Sequence, residues 1–226
     1  MEVFQLKSVV IFGAGGFGRQ VLEIFRDCNK VSNQWDIVGF IDDDITQHGT
    51  LVNGCRVLGG LKWLQENKNR YDSLGCVCAI GTPETRKKAA EVINGLGVEF
   101  YSITHPSVIM SDFVDIGDDV IISPLSILTV NVKLGDHVQI GNACIVAHDC
   151  IIENYCRLGP RSTINGSCHI RQGAYIGSGA TLIENRSVGE WSIVGAGSTV
   201  IEDVPSRVVA VGVPAKVIKD RHTIDV

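Results

Sequence analysis

From Met110 to Val200 every sixth residue is aliphatic or methionine: Met110, Ile116, Ile122, Leu128, Leu134, Ile140, Val146, Ile152, Leu158, Ile164, Ile170, Ile176, Leu182, Val188, Val194 and Val200. If such residues filled about a third of positions at random, this run would be very improbable. The next position is often glycine, as at Gly117, Gly135, Gly141, Gly159, Gly177, Gly189 and Gly195. Four positions after most of the aliphatics stands a small or β-branched residue, among them Val120, Ser126, Val132, Val138, Cys144, Cys150, Cys156, Ser162, Cys168, Ala174 and Ala180. Each hexapeptide therefore reads as one short strand and a corner. The aliphatic fills the interior, the small residue fits beside it, and glycine is expected to supply the positive φ of a tight corner. Three hexapeptides make an 18-residue coil, the spacing of Gly141, Gly159, Gly177 and Gly195. Stacked coils bury one continuous aliphatic column.

The rest of the composition bounds the function. A chain of 226 residues has room for one or two domains. With 45 % hydrophobic and 20 % charged residues it is not a disordered chain. The net charge is −5, without a basic run, so no nucleic-acid partner is expected. No apolar stretch approaches the ~18 residues a membrane span needs. Met1 to Lys7 carries no basic segment followed by an apolar one, so no secretory leader is expected and the cytoplasm is the expected compartment. The eight cysteines include no C-x-x-C pair, which argues for reduced thiols and no metal. Cys144, Cys150, Cys156 and Cys168 occupy the small inward position and read as core filler; Cys76 and Cys78 read as core of a strand.

Residues 1–104 have a different grain. Ser8 to Phe12 reads as a buried strand running into Gly13-Ala14-Gly15-Gly16-Phe17-Gly18, which opens a helix with Val21, Ile24, Phe25 and Cys28 on one face. Further strands are expected at Ile37 to Ile41, Cys76 to Ile80 and Val98 to Tyr101. Thr82 is placed to cap the helix that starts at Pro83 and ends near Gly95. These are βαβ units on a parallel sheet. Gly13, Gly15 and Gly18 match a dinucleotide fingerprint, whose backbone N–H groups hold a phosphate, and Asp42 suits the acidic position that meets a ribose hydroxyl. A nicotinamide dehydrogenase and a plain strand–helix turn both fit that motif. With about four strands expected there is room for one nucleotide half only.

The hexapeptide pattern resembles the hexapeptide-repeat acyltransferases, which fold as left-handed parallel β-helices and usually form homotrimers, with acyl-CoA in a groove between neighbouring prisms. The short mononucleotide domain, Thr104-His105-Pro106-Ser107, the repeats and the closing Gly212-Val213-Pro214-Ala215-Lys216 together resemble one subfamily. It is the bacterial sugar acetyltransferases of the sialic acid O-acetyltransferase and UDP-4-amino-sugar N-acetyltransferase type. The resemblance covers nearly the whole chain. The expected architecture is an α/β Rossmann-like nucleotide-sugar-binding domain (1–104), a left-handed β-helix acyltransferase domain (105–205) and a C-terminal extension (206–226).

Among His48, His105, His137, His148, His169 and His222, only His148 combines an outward position, a glycine one coil on (Gly166) and an adjacent carboxylate, Asp149. A carboxylate on one ring nitrogen fixes the tautomer and raises the basicity of the other. A solvated surface histidine beside a surface aspartate fits the residues equally. The subfamily resemblance around Ile145 to Cys150 implies that His148 is the general base and Asp149 its partner. The implied reaction is direct transfer from acetyl-CoA to the amine of a nucleotide-linked (UDP, dTDP or GDP) 4-amino-4,6-dideoxy sugar, with no acyl-enzyme and no cysteine nucleophile.

The resemblance further implies a phosphate loop at Gly15, Gly16 and Phe17, base or ribose contacts at Asp42 and Asp43, and Gly81 beside the nucleotide. It puts CoA contacts near Ser178 and Ala196, with Lys216 reaching a phosphate. Nine residues after the base, where the subfamily often has a second histidine, stands Arg157; it can donate to the acyl oxygen, bind a phosphate or face solvent. An O-acetyltransferase needs the same base. A non-catalytic solenoid is the reading that the His148–Asp149 pair opposes.

Overall fold

In a computed structural model, residues 6–221 are described, and the chain divides after Pro106 into two compact units. His222 and most of the segment expected to lack a leader lie outside the described residues.

The first unit is an α/β domain. Its elements are β1 (Lys7–Phe12), α1 (Gly16–Val31), β2 (Trp35–Ile41), β3 (Leu51–Val52), β4 (Cys55–Gly59), α2 (Leu61–Asn67), β5 (Leu74–Cys78), α3 (Pro83–Gly95) and β6 (Glu99–Phe100). The sheet order is β3-β4-β2-β1-β5-β6, all neighbours parallel except β3 with β4. Val9, Val10 and Ile11 of the central strand are wholly buried, as a strand with covered faces requires. Cys76 and Cys78 are core.

The sequence predicts about four strands here, and the sheet has six among the described residues. The additional pair is the β3–β4 hairpin, whose signal was the Asn53-Gly54 turn; both residues have positive φ, 49° and 75°, as a primed turn needs. Pro83 opens α3 and Gly95 ends it as expected, but the Thr82 side chain makes no capping hydrogen bond. On α1, Val21, Ile24 and Phe25 are buried, joined by Leu22, and the Cys28 thiol donates to the Thr104 carbonyl at 3.3 Å.

The second unit is a left-handed parallel β-helix. Its sixteen two-residue strands, from Ile109–Met110 to Thr199–Val200, recur every six residues and build three faces. The first face runs through residues 121–122, 139–140, 157–158, 175–176 and 193–194, then Val208–Val211 and, antiparallel, Lys216–Asp220. The second holds 109–110 through 199–200 and the third 115–116 through 187–188. Register is fixed at eighteen residues through the sixteen strands, as in Ile127↔Ile145↔Thr163, and shortens to sixteen in the last coil, where Ile193 pairs with Val209. The inward aliphatics from Ile122 to Val200 are at most 4 % exposed and form one column. Met110 departs from this at 37 % exposed, because its coil is the terminal one of the stack.

The small inward position has a second use. The Cys144, Cys150, Cys156 and Cys168 thiols donate to the carbonyls of Gly159, Asn165, Arg171 and Ile183, each fifteen residues on, at 3.0–3.1 Å. Ser126 does the same to Gly141 at 2.9 Å. Burial pushes the Cys144 thiol up, away from the thiolate; the hydrogen bond with Cys168, and then burial, do the same to Cys150.

The glycines after the aliphatics serve a different purpose from the one expected. Positive φ falls two residues later, at Asp119, Leu125, Asn131, His137, Ala143, Asp149 and onward, mostly at non-glycine residues. Their cost of roughly 1–2 kcal/mol each is offset by a backbone ladder in which, from His137 to Gly197, each N–H at this position donates to the carbonyl nineteen residues earlier, as Asp149 to Val130 at 3.1 Å. The aliphatic-following glycines are needed because coils stack tightly: a Cβ on Gly159 would stand 2.6 Å from the Ser178 backbone nitrogen.

Candidate active site

Each unit carries a candidate site. In the first, β1 lies between β2 and β5, so the strand order reverses at the C-terminal end of β1, the place where ligands bind in open α/β sheets. The Gly13–Gly16 loop and the end of β5 meet there; a Cβ on Gly13 (φ +107°) would stand 3.1 Å from the Ala79 carbonyl oxygen. Gly18 brings the helix against the loop so closely that a Cβ would overlap the Gly13 oxygen at 1.7 Å. The start of α1 has no side-chain cap at Gly15, and no atom lies within 4 Å of where a Gly15 Cβ would stand. A helix start without a side-chain cap and with open space before it suits an anion.

Asp42 stands at the expected place, but both its carboxylate oxygens are engaged by the backbone. Oδ2 accepts from the Ala14 N–H at 2.7 Å and Oδ1 from Asp44 at 2.9 Å. Asp43 is exposed, with Oδ1 against Gly60 at the start of α2. Gly81 is fixed from beneath by Arg86, a fully buried arginine that donates to the Ile80 and Gly81 carbonyls at 2.8 and 3.3 Å. Arg86 has no counterpart in the sequence reading, because nothing in a helical Arg-Lys-Lys run marks which cation turns inward.

In the second unit, the His148 Nδ1 lies 2.8 Å from Asp149 Oδ2. A carboxylate only accepts, so the proton is on Nδ1 and Nε2 offers its lone pair. Nε2 has no hydrogen-bond partner among the described residues. The ring lies across Gly166, where a Cβ would stand 2.5 Å from Cε1. Asn131, one coil back, donates to Asp149 Oδ1 at 3.0 Å, and this bond and the one from His148 hold the Asp149 carboxyl below the usual carboxylate range.

Carboxylate company is less distinctive than the sequence suggests. His105 pairs with Asp27 at 3.2 Å, His137 with Asp119 at 2.8 Å and His169 with Glu153 at 2.6 Å. What separates His148 is access. Its side chain is 59 % exposed, against 14, 10 and 33 % for those three. His105 and His169 use Nε2 for the carboxylate, and His137 stacks on Tyr155 at 4.7 Å.

The other expected residues lie elsewhere on the prism. His148 stands in the corner between the second and third faces, Ser178 and Ala196 in exposed corners between the first and second, and Arg157 on the first face. In a three-sided prism the first face is opposite the His148 corner, so one chain does not bring Arg157 and His148 together. The Arg157 guanidinium instead lies over the Tyr175 ring at 5.4 Å. Lys216 is paired with Glu202 at 3.2 Å in an exposed ion pair. Among the described residues no group of three or more His, Cys, Asp or Glu could hold a metal ion, and no helix is long and apolar enough to cross a membrane.

Two families match the chain: PglD N-terminal domain over residues 8–93 and Bacterial transferase hexapeptide (six repeats) over residues 131–166. The structure is similar to PerB from Caulobacter crescentus in complex with CoA and GDP-perosamine. The TM-score is 0.86 at 30 % identity, over 95 % of this chain and 99 % of that one. It is similar to WeeI from Acinetobacter baumannii AYE, with a TM-score of 0.83 at 31 % identity over 94 % and 100 % of the two chains. A GDP-perosamine N-acetyltransferase of Escherichia coli O157:H7 is 34 % identical over 121 residues, 54 % of this chain; the match spans about half, 53 %, of that relative's length. With a shared fold over nearly the full length and identity at that level, the chain belongs to the bacterial hexapeptide-repeat sugar acetyltransferases.

Proposed function

We propose that this protein transfers an acetyl group from acetyl-CoA to the amine of a nucleotide-linked 4-amino-4,6-dideoxy sugar, with His148 as general base. The observation that carries the reading is the exposed imidazole, held by Asp149 at Nδ1 and with Nε2 open above Gly166. The Caulobacter relative's complex with CoA and GDP-perosamine supports the substrate class and favours a GDP-linked amino sugar over UDP- and dTDP-linked ones.

The first unit binds the nucleotide. Gly15, Gly16 and Phe17 present helix N–H groups to the diphosphate, Asp43 faces the nucleoside, and Asp42 holds the loop in shape. The second unit carries the chemistry. As the amine attacks the thioester carbonyl, the N–C bond forms and His148 Nε2 takes the amine proton. The C–S bond then breaks, and the imidazolium returns that proton to the departing thiolate, which leaves as CoA-SH. Asp149 stabilises the imidazolium formed in between. No atom of the enzyme is acylated, so the buried cysteines have no part in it.

The active species is a homotrimer in the cytoplasm. His148 and the Ser178 and Ala196 corners stand at opposite ends of the second face. A groove between neighbouring prisms joins the base of one chain to the CoA corners of the next. The same groove brings a neighbour's Arg157 within reach of a phosphate or of the acyl oxygen, and Lys216 lies on the strand that closes the stack.

The test is release of CoA thiol from acetyl-CoA with a panel of UDP-, dTDP- and GDP-linked 4-amino sugars and sialic acid. Turnover on a GDP-linked amino sugar is expected. Turnover on sialic acid alone overturns the amine acceptor, and CoA binding without any turnover overturns the substrate class.

A further inference from the structure

The Asp149 carboxylate is held from two directions. His148 Nδ1 donates to Oδ2 at 2.8 Å, and the Asn131 side-chain amide donates to Oδ1 at 3.0 Å. The two donors come from different coils, since Asn131 precedes Asp149 by one 18-residue turn at the same corner. The bond's direction follows from chemistry: the acceptor is a carboxylate, so the NH2 of the amide must face it. The Asp149 side chain is 52 % exposed. Without a second anchor its χ1 and χ2 would be free to turn both oxygens to water, and an exposed pair between neighbours in sequence holds weakly. Asn131 removes that freedom and leaves one oxygen for the imidazole.

We propose that Asn131 is a positioning residue of the transfer reaction, orienting Asp149 so that the His148 imidazole keeps Nδ1 protonated and Nε2 available. The proposal rests on the reading of His148 as the base. A simpler role for Asn131 is conformational. It sits at φ +57°, beside Asp149 at φ +59°, and asparagine tolerates the left-handed region better than most residues. The two roles separate by substitution. Asn131→Gly keeps the left-handed backbone at no steric cost and removes the amide. Asn131→Asp keeps size, shape and backbone tolerance and replaces the donor by a second carboxylate.

The experiment measures kcat, both KM values and the pH dependence of kcat/KM for wild type, Asn131→Gly, Asn131→Asp and His148→Ala. If the amide positions Asp149, kcat falls about tenfold in Asn131→Gly and further in Asn131→Asp, while the KM for acetyl-CoA stays within about twofold. The acidic limb of the profile moves down in Asn131→Gly, because a loosened carboxylate stabilises the imidazolium less. It moves up in Asn131→Asp, because a second negative charge stabilises the imidazolium more. A conformational role leaves kcat and the acidic limb of Asn131→Gly at their wild-type values, because glycine keeps the left-handed backbone, and that result overturns the proposal. Asn131→Ser, whose hydroxyl also donates, is expected between wild type and Asn131→Gly and serves if either other variant fails to fold. Wild-type turnover in His148→Ala overturns the base itself and the proposal with it; loss in His148→Ala with unchanged Asn131→Gly overturns the positioning role alone.

Discussion

The His148 imidazole lies across Gly166, so close that a Cβ on the glycine would stand 2.5 Å from Cε1 and 2.6 Å from Nε2. The clash is with the far end of a side chain, so an alanine there is accommodated by turning the ring away, and the coil itself need not move. Gly166→Ala is therefore expected to fold with near wild-type stability and to lose about a hundredfold or more in kcat. Steady-state kinetics beside a thermal melt check it; retained activity would mean the ring position seen here is not the working one.

Asp42 carries a similar prediction for the nucleotide unit. Its oxygens accept from the N–H groups of Ala14 and Asp44, tying the glycine loop to the turn after β2. Asp42→Ala frees both N–H groups and loosens the loop. The KM for the nucleotide sugar is expected to rise about tenfold, with kcat at saturation changed far less. A fall in kcat at unchanged KM would contradict this assignment.

The glycine column makes a prediction about stability. A Cβ on Gly177 would stand 2.5 Å from the Ala196 backbone nitrogen, which only a shift of the coil relieves. Gly179 has φ +68° but open space around it. Gly179→Ala is expected to cost about 1 kcal/mol, the ordinary left-handed penalty, and Gly177→Ala about 3 kcal/mol or more. Urea unfolding of the two variants gives the order directly, and the reverse order would mean that corner conformation outweighs stacking.

Acid sensitivity follows from the carboxylates. The hydrogen bond from Asn131, then that from His148, holds the Asp149 carboxyl below its ordinary 3.8. Asp27, held down first by Lys30, and Asp44, held down first by Thr46, are lowered as well. A depressed folded pKa contributes stability that is fully present above the unfolded value and lost as pH falls through the folded one. The unfolding midpoint in urea should therefore be insensitive to these three groups from pH 7 to about 5 and decline below about 4. With its carboxyl held down, Asp149 stays ionised above about pH 5, so an acidic limb near neutrality is not its own.

The fold was largely legible because its signal repeats. A period of six over about ninety residues places the inward side chains, and the small inward positions from Val120 to Ala180 are buried as that period predicts. The corner chemistry was not legible. Glycine after the aliphatic suggests positive φ, whereas the left-handed residues are Asn131, Asp149 and their equivalents, and that distinction lies in how coils stack. At the candidate site, the outward position of His148, the adjacent Asp149 and the side-chain-free Gly166 one coil on were readable from spacing, and the structure places the ring across that glycine. Asn131 was not, since one polar residue in a corner looks like any other until the coil above it is placed. The backbone bonds that Asp42 accepts from Ala14 and Asp44 were not legible either, because acidity after a strand does not reveal which donors reach it.

In the proposed reaction His148 Nε2 takes the proton of an attacking sugar amine. The measurement closest to it is the single-turnover rate of acetyl transfer in wild type and His148→Ala, with acetyl-CoA and the accepted amino sugar both saturating, across about pH 5 to 9. A loss of about a hundredfold or more is expected in the variant at neutral pH with CoA affinity unchanged. The acidic limb of the wild-type profile is expected to be absent from the residual rate. An equal rate in the two proteins, or the same acidic limb in both, would contradict it.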